Sequence, residues 1–181
     1  MKTTPEPVLE TDRLWFRRHT ADDIEFYCAM EMDADVRRYT GGRPRTREEA
    51  EQRFMPFLAP PVNGLSMWAA ILKNENLYVG RCGIYPHFGY DDQPIPGEAA
   101  LGIYLAKDYW GRGLATEAGR EFISYGFNQL GLSKIVTAIQ VGNDASVRVI
   151  EKLGFTMDWT EEGNLRSFYH FVLEKARYDS F

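Results

Sequence analysis

Two glycines, Gly111 and Gly113, stand between a predicted strand and a predicted helix. A helix N-terminus leaves backbone N–H groups without carbonyl partners, and it carries roughly half a positive charge. Because glycine has no side chain, a bulky pyrophosphate can approach the main chain closely at both positions. The spacing therefore predicts a phosphate-binding loop, with an ordinary strand-to-helix turn as the alternative.

Two well-known phosphate-binding motifs do not fit this loop. A Walker loop has Lys and then Ser or Thr after its last glycine, but Gly113 is followed by Leu114 and Ala115. A dinucleotide-binding fingerprint has a third small residue where this chain has Thr116, and its strand opens a βαβ unit. The loop therefore indicates a phosphate-bearing cofactor of another class.

A second pattern follows a segment rich in β-branched residues, 134–141, and leads into another predicted helix. Together the two patterns resemble the GNAT acetyltransferase superfamily, and in detail its RimJ/RimL-like branch, and the opening 9–14 resembles that branch's first strand. Trp110 replaces the Gln or Arg of the broader superfamily but is usual in this branch. The matching residues are Tyr109, Trp110, Gly111, Gly113, Ala115, Glu117 and Ala118 in the loop, and Asn143, Ser146, Val149, Glu151, Lys152, Gly154 and Phe155 in the helix.

The resemblance implies one GNAT N-acetyltransferase domain over residues 1–181. Its fold class is α/β (α+β), with a mixed, mostly antiparallel central sheet of about seven strands and about four flanking helices. Strands 4 and 5, expected at 98–105 and 134–141, would splay apart and admit the pantetheine arm of acetyl-CoA. No metal is implied.

The resemblance also implies the cofactor contacts. Main-chain groups of Ile103 and Leu105 would bind pantetheine. Asn143 would contact the same arm, although it is also a good N-cap residue. Arg112 and Lys152 would add phosphate contacts, with solvated surface charge as the alternative for each. The pyrophosphate would bind the N–H groups of Gly111, Arg112, Gly113, Leu114, Ala115 and Thr116.

Candidates for the chemistry lie on the same strand and on the later helix. Ser146 would lie near the thioester sulfur and stabilise or protonate the departing thiolate, unless its hydroxyl bonds to its own helix turn. The attacking amine must lose a proton, and the branch has a glutamate for this step where the chain has Ala100. Glu98 points to the same strand face, roughly 6–7 Å away, and is the predicted remote base, with a structural edge carboxylate as the alternative. Tyr104 and the predicted loop residue His87 are further candidates.

The function implied is acetyl transfer from acetyl-CoA to a primary amine, by direct attack of the neutral amine on the thioester. The acceptor would be a protein N-terminus or a small amine, and the enzyme an acyltransferase of the EC 2.3.1 type. A catalytically weak acyl-CoA-binding or regulatory module is the alternative, because Ala100 replaces the expected glutamate. Homodimers are frequent among similar proteins, so a homodimer stays open. An aromatic and flexible acceptor cleft is a further hypothesis, built on Tyr27, Met30, Met32, Tyr39, Trp68, Phe88 and Tyr90.

Composition narrows the classes of partner. The net charge of −5 argues against nucleic acid as the main partner, since phosphate contacts favour a basic surface. No apolar run approaches the roughly 20 residues that span a membrane, and residues 1–7 contain no apolar leader core, so we expect a cytoplasmic protein without a membrane partner. The two cysteines, Cys28 and Cys82, form neither a disulfide framework nor a zinc site.

The elements that position these residues follow from patterning. Thr20 and Thr46 are predicted N-caps of two early helices, the second ending near Phe57. Runs at 66–72 and 77–85 predict a hairpin, and 86–97 predicts a loop. A helix is expected over 115–129, closed by Gly131, and the last strands at 156–160 and 166–175.

Overall fold

The computed structural model describes residues 8–180, which form eight strands and six α-helices. Residues 1–7, for which we expect no apolar leader core, and Phe181 lie outside this part. The strands are β1 (Leu9–Glu10), β2 (Leu14–Arg17), β3 (Ser66–Leu72), β4 (Leu77–Phe88), β5 (Pro94–Leu105), β6 (Lys134–Gln140), β7 (Thr156–Glu161) and β8 (Phe168–Glu174). The helices are α1 (Ile24–Met32), α2 (Ala34–Arg37), α3 (Arg47–Phe54), α4 (Leu114–Ser124), α5 (Asp144–Lys152) and α6 (Lys175–Tyr178).

All eight strands of the described chain join one sheet in the order β1-β2-β3-β4-β5-β6-β8-β7. Neighbouring strands run antiparallel except β5 and β6, which are parallel. The predicted mixed, mostly antiparallel sheet is therefore confirmed. The counts exceed about seven strands and about four helices because β1 has two residues and α2 and α6 have four each.

The predicted separation of two central strands is observed between β5 and β6. They pair only where Glu98–Ala100 faces Lys134–Val136. Beyond that point the hydroxyl of Thr137 donates to the Leu101 carbonyl at 3.1 Å, and the ladder ends. The two strands thus leave a gap between their C-terminal halves.

The main core lies between the sheet and α4. Leu114, Ala118 and Phe122 form the buried stripe of α4, and Phe122 meets Phe16 of β2 edge to face with ring centres 4.8 Å apart. A smaller cluster, Tyr27 with Phe54, joins α1 to α3. Of the two strands that form the gap, β5 therefore has α4 packed against it.

One element prediction was wrong, and another was confirmed with a different last turn. The region 86–97 is not a loop, because β4 and β5 extend into a long hairpin whose turn is closed by the Gly89 N–H donating to the Gln93 carbonyl at 2.9 Å. The predicted helix 115–129 is regular only to Ser124, and Tyr125–Gln129 forms a π-helical turn before Gly131 at φ +66°.

Between residues 8 and 180, none of the helices combines the length and the apolar character that crossing a bilayer requires. The same residues contain no cluster of three or more His, Cys, Asp or Glu side chains able to hold a metal ion.

Candidate active site

The glycine loop connects β5 to α4. After a short 3-10 turn at Lys107–Tyr109, Gly111 has φ +71° and Gly113 has φ +78°, a left-handed conformation that glycine adopts without strain. Gly113 is the N-cap of α4, and its carbonyl accepts from Glu117 N–H. The backbone path of the loop therefore favours glycine at both positions.

The loop has the features of an anion cradle. Within residues 8–180, the N–H groups from Gly111 to Thr116 have no recorded carbonyl acceptor. A Cβ placed on Gly111 would meet no atom within 4 Å, so the space beside the backbone is open. These features suit an anionic group, such as a phosphate, at the helix N-terminus.

Glu117 fastens this loop to the N-terminal strands. Its carboxylate accepts from the Thr11 hydroxyl and from Arg13 Nε, each at 2.6 Å. Arg13 also donates to the Arg112 carbonyl at 2.8 Å. Although burial raises the pKa of Glu117, the hydrogen bonds from Thr11 and Arg13 outweigh it and hold that pKa below its usual value. The motif contained Glu117, but its clamping role needs the fold.

The gap between β5 and β6 opens into a cleft of about 1190 Å³. The cleft continues from the strands towards α1, α3 and the hairpin, so one space touches both the predicted cofactor strands and the acceptor side. Its lining from β5, β6, α4 and α5 includes Leu101, Ile103, Tyr104, Ala115, Thr137, Gln140, Asn143 and Ser146.

Asn143 and Ser146 begin α5 at the cleft. The Asn143 side-chain oxygen accepts from the Ser146 N–H at 3.3 Å, so Asn143 is the helix N-cap. Among the described residues, the Ser146 hydroxyl has no recorded partner, and the local helix-turn bond considered for it is not observed. The serine hydroxyl is thus available to a group in the cleft.

Three other predicted cofactor residues lie outside the cleft lining of the described chain, namely Leu105, Arg112 and Lys152. Leu105 does not line the cleft in the described chain, and its carbonyl accepts from the Trp110 indole N–H at 2.8 Å. Arg112 is exposed, with its guanidinium carbon 5.3 Å from the Tyr109 ring centre. Lys152 is exposed in the last turn of α5.

Glu98 is bound across three strands. Its Oε2 lies 2.8 Å from His87 Nδ1, and its Oε1 lies 2.6 Å from Lys134 Nζ. Burial raises the pKa of Glu98, but the bonds from Lys134 and His87 outweigh it and lower the pKa. His87 belongs to β4 rather than to a loop. The structure does not bring Glu98 into the cleft lining described for residues 8–180, whereas Tyr104 is there.

The residues proposed as an aromatic acceptor surface divide into three groups. Tyr27 and Tyr39 line the cleft. Met30 and Trp68 are core residues. The others are exposed and outside the cleft lining, namely Met32, Phe88 and Tyr90.

A group of charged side chains in the cleft was not predicted. Glu31 accepts from Arg81 at 2.7 Å and from Arg45 at 2.8 Å, and it lies 3.2 Å from Arg37. We call the three arginines the arginine cluster. Burial raises the pKa of Glu31, but its contacts with Arg81, Arg45 and Arg37 outweigh this effect and hold the pKa below its usual value. The available signal was Arg81, a charge inside the apolar strand segment 79–84.

Comparisons with known proteins agree with this geometry. The family model described as "Acetyltransferase (GNAT) domain" matches residues 13–156. The uncharacterised protein YkkB of Bacillus subtilis is 33% identical over 149 residues, which are 81% of this chain and 83% of that protein. The FsC-acetyl coenzyme A-N(2)-transacetylase of Aspergillus fumigatus is 28% identical, over 86% of this chain and 68% of its own.

The fold is also similar to that of a solved structure, a GNAT-family acetyltransferase from Bacillus anthracis. The TM-score is 0.80 at 23% identity, and the match covers 92% of this chain and 98% of the other. The chain belongs to the GNAT acetyltransferase family, whose members take the acetyl group from acetyl-CoA.

Proposed function

We propose that this protein transfers the acetyl group of acetyl-CoA to a primary amine, by direct attack of the neutral amine on the thioester. The observation that carries the proposal is the shared cleft. Ala115 at the start of the loop helix, Ile103 on the parted strand and Ser146 with its unbonded hydroxyl all line it. A donor, an acceptor and a proton donor would therefore meet in one space.

Each part of the chain would have a defined task in that reaction. Acetyl-CoA supplies an activated acyl group. The N–H groups from Gly111 to Thr116 would bind its pyrophosphate, assisted by Arg112 and Lys152 from the surface. Main-chain groups of Ile103 and Leu105, with the Asn143 amide, would align the pantetheine arm. The Ser146 hydroxyl would stabilise the leaving thiolate or protonate it, and the proton that the nitrogen loses as the amide forms would restore the hydroxyl.

The incoming amine must be neutral when it attacks. Tyr104 lies in the cleft and would contact that amine. Glu98, at the start of the region of β5 that pairs with β6, would receive the proton through water. The alternative role for Glu98 is structural, since its carboxylate joins His87 of β4 to Lys134 of β6.

The acceptor would be a small amine or a protein N-terminus. The Aspergillus relative is named an N(2)-transacetylase that uses acetyl coenzyme A, which favours nitrogen as the acceptor atom. The RimJ/RimL-like loop and helix motifs favour a protein N-terminus. The net charge of −5 does not favour nucleic acid.

The test is release of free thiol from acetyl-CoA in the presence of a mixed panel of amines and N-terminal peptides. We expect release that depends on an added amine. Calorimetry on the same protein measures acetyl-CoA binding. Binding without amine-dependent release would favour the acyl-CoA-binding module, and the absence of both would remove the assignment of the loop.

A further inference from the structure

The arginine cluster is unusual because one carboxylate serves three guanidinium groups. Glu31 is 1% exposed, Arg37 is 4% exposed and Arg81 is 8% exposed. Removing charges from water is costly unless each is paired. Glu31 compensates one positive charge, so the cluster holds an excess of positive charge at the wall of the cleft.

Arg81 is the least satisfied member of the cluster. Its Nη2 donates to Glu31, but its Nη1 has no hydrogen-bond partner among the described residues and is buried. The guanidinium carbon lies 4.8 Å from the Tyr27 ring centre and 4.5 Å from that of Tyr104. Aromatic faces stabilise a cation without neutralising it.

The charge excess extends along the cleft. Five arginines line it, Arg37, Arg45, Arg53, Arg81 and Arg166, and Glu31 is the single carboxylate of the described lining. The whole chain has a net charge of −5. The cleft therefore has the opposite sign to the molecule. A cleft of one sign attracts ligands of the other sign and repels those of its own.

The cluster also adjoins Tyr104, the residue proposed to contact the amine. Arg81 on β4 is the cross-strand neighbour of Tyr104 on β5. Tyr104 and Ser146 line the same cleft as Arg81. An anion bound at the cluster would thus fix one end of a molecule whose other end reaches the thioester.

We propose that the arginine cluster binds a carboxylate of the acceptor, so that the substrate is an amine of the amino-acid class. This inference rests on the proposed acetyl transfer and specifies its substrate. A planar carboxylate matches the paired donors of a guanidinium. The aromatic lining, including Tyr27, Tyr39 and Tyr85, would pack against the body of the amino acid. The same positive charge would repel polyamines, which carry only positive charge.

The test measures acetyl transfer to matched acceptors. The twenty standard amino acids are compared with their carboxamides, which keep the amine and the side chain, and with spermidine. We expect at least one free amino acid to react with a kcat/KM about tenfold or more above its carboxamide, because the amide lacks the charge. Thermal stabilisation of the CoA-loaded protein by the same compounds gives a second measure that needs no turnover.

Variants then assign the effect to the cluster. Arg81→Gln should reduce kcat/KM for the best amino acid about tenfold, leave KM for acetyl-CoA unchanged, and narrow the gap between acid and amide. Arg45→Gln changes a partly exposed member of the cluster, so it tests the same site if Arg81→Gln fails to fold. Arg38→Gln is the matched control, since Arg38 is exposed, pairs with Asp35 and lies outside the described lining.

The outcomes separate the two proposals. Carboxamides or spermidine that react as well as any amino acid would overturn the carboxylate site and leave acetyl transfer standing. Acetyl-CoA binding with no reaction and no stabilisation by any compound would overturn both. Equal loss in Arg81→Gln for acids and amides would show a structural role and also overturn the inference.

Discussion

At the scale of single residues, the loop glycines are the sharpest test of cofactor binding. Gly113→Asp places a carboxylate beside N–H groups that would hold pyrophosphate, and it forces a side chain onto φ +78°. We expect the affinity for acetyl-CoA, measured by calorimetry, to fall by about tenfold or more, since like charges within contact distance repel.

The matched control is Gly131→Asp. Gly131 also has a positive φ, +66°, and open space around its Cα, but it follows the far end of the α4 segment. Its replacement should carry the same backbone strain and leave acetyl-CoA binding unchanged. Normal binding in Gly113→Asp, or equal loss in both variants, would contradict the assignment of the loop.

Glu98→Gln tests the predicted remote base. If the carboxylate receives the amine proton through water, the rate of acetyl transfer should fall mainly at low pH, where the amine is charged. The measurement is the pH profile of kcat/KM. Glu161→Gln is the control. Glu161 lies on the outer strand β7, and its carboxylate is 2.9 Å from His170 of β8, so this variant also removes a contact between a carboxylate and a histidine. An unchanged profile would leave Glu98 with its structural bonds only.

Features of single residues could be predicted from the sequence where they depend on neighbouring positions in the chain. Gly111 and Gly113 set their own backbone conformation, so the loop could be predicted from the sequence. Glu31 and Arg81 are fifty positions apart and meet only through packing of α1 on β4. No local pattern contains that pair, and the charge of the cleft was therefore missed.

At the scale of elements, Asn143 combines a cap with a predicted contact to pantetheine. Asn143→Ala should remove the bond to the Ser146 N–H and destabilise the protein by about 1 kcal/mol. We also expect weaker acetyl-CoA binding, because the amide would be lost from the cleft. Urea unfolding and calorimetry measure the two effects separately.

Thr46→Ala supplies the comparison for this cap. Thr46 accepts from the Glu49 N–H at 3.2 Å at the start of α3, away from the predicted cofactor strands. Its loss should reduce stability by a similar amount, about 1 kcal/mol, without changing acetyl-CoA affinity. Equal affinity in both variants would reduce Asn143 to a helix cap.

The observed elements agree with the sequence predictions except where pairing between strands decides the boundary, as in the hairpin of β4 and β5. Pro94 and Pro96 suggested a loop, because proline cannot donate to a ladder. In the fold these residues lie beyond the part of β5 that pairs with β6, and Pro94 faces Phe88 of β4. Only the sheet order shows which donors are needed, so the hairpin could not be predicted from propensity.

At the scale of the whole molecule, the resemblance anticipated the sheet and its parted strands, but not the energetic conflicts in the packing. His19 is one of these. It is 5% exposed, and neither ring nitrogen has a partner among the described residues. Phe54, Phe57 and Tyr78 surround it with ring centres 5.2–5.9 Å away. Desolvation of this kind connects folding of the protein to pH.

Burial, assisted by the positive charges of Arg81 and Arg17 and opposed by Asp23, lowers the pKa of His19 from 6.5 to about 4. The unfolded chain therefore binds a proton that the folded chain does not, and stability falls as the pH drops from about 6.5 towards 4. We expect protonation of this histidine in the unfolded chain to lower the free energy of unfolding by about 2 kcal/mol between pH 7 and pH 5. His19→Phe should abolish this decrease in the free energy of unfolding, measured with urea at the two pH values. His170→Phe, which replaces a more exposed histidine, should show the same decrease as the unmodified protein. If His19→Phe and the unmodified protein lose the same stability between pH 7 and pH 5, His19 takes up its proton equally in the folded and the unfolded state, and the prediction is wrong.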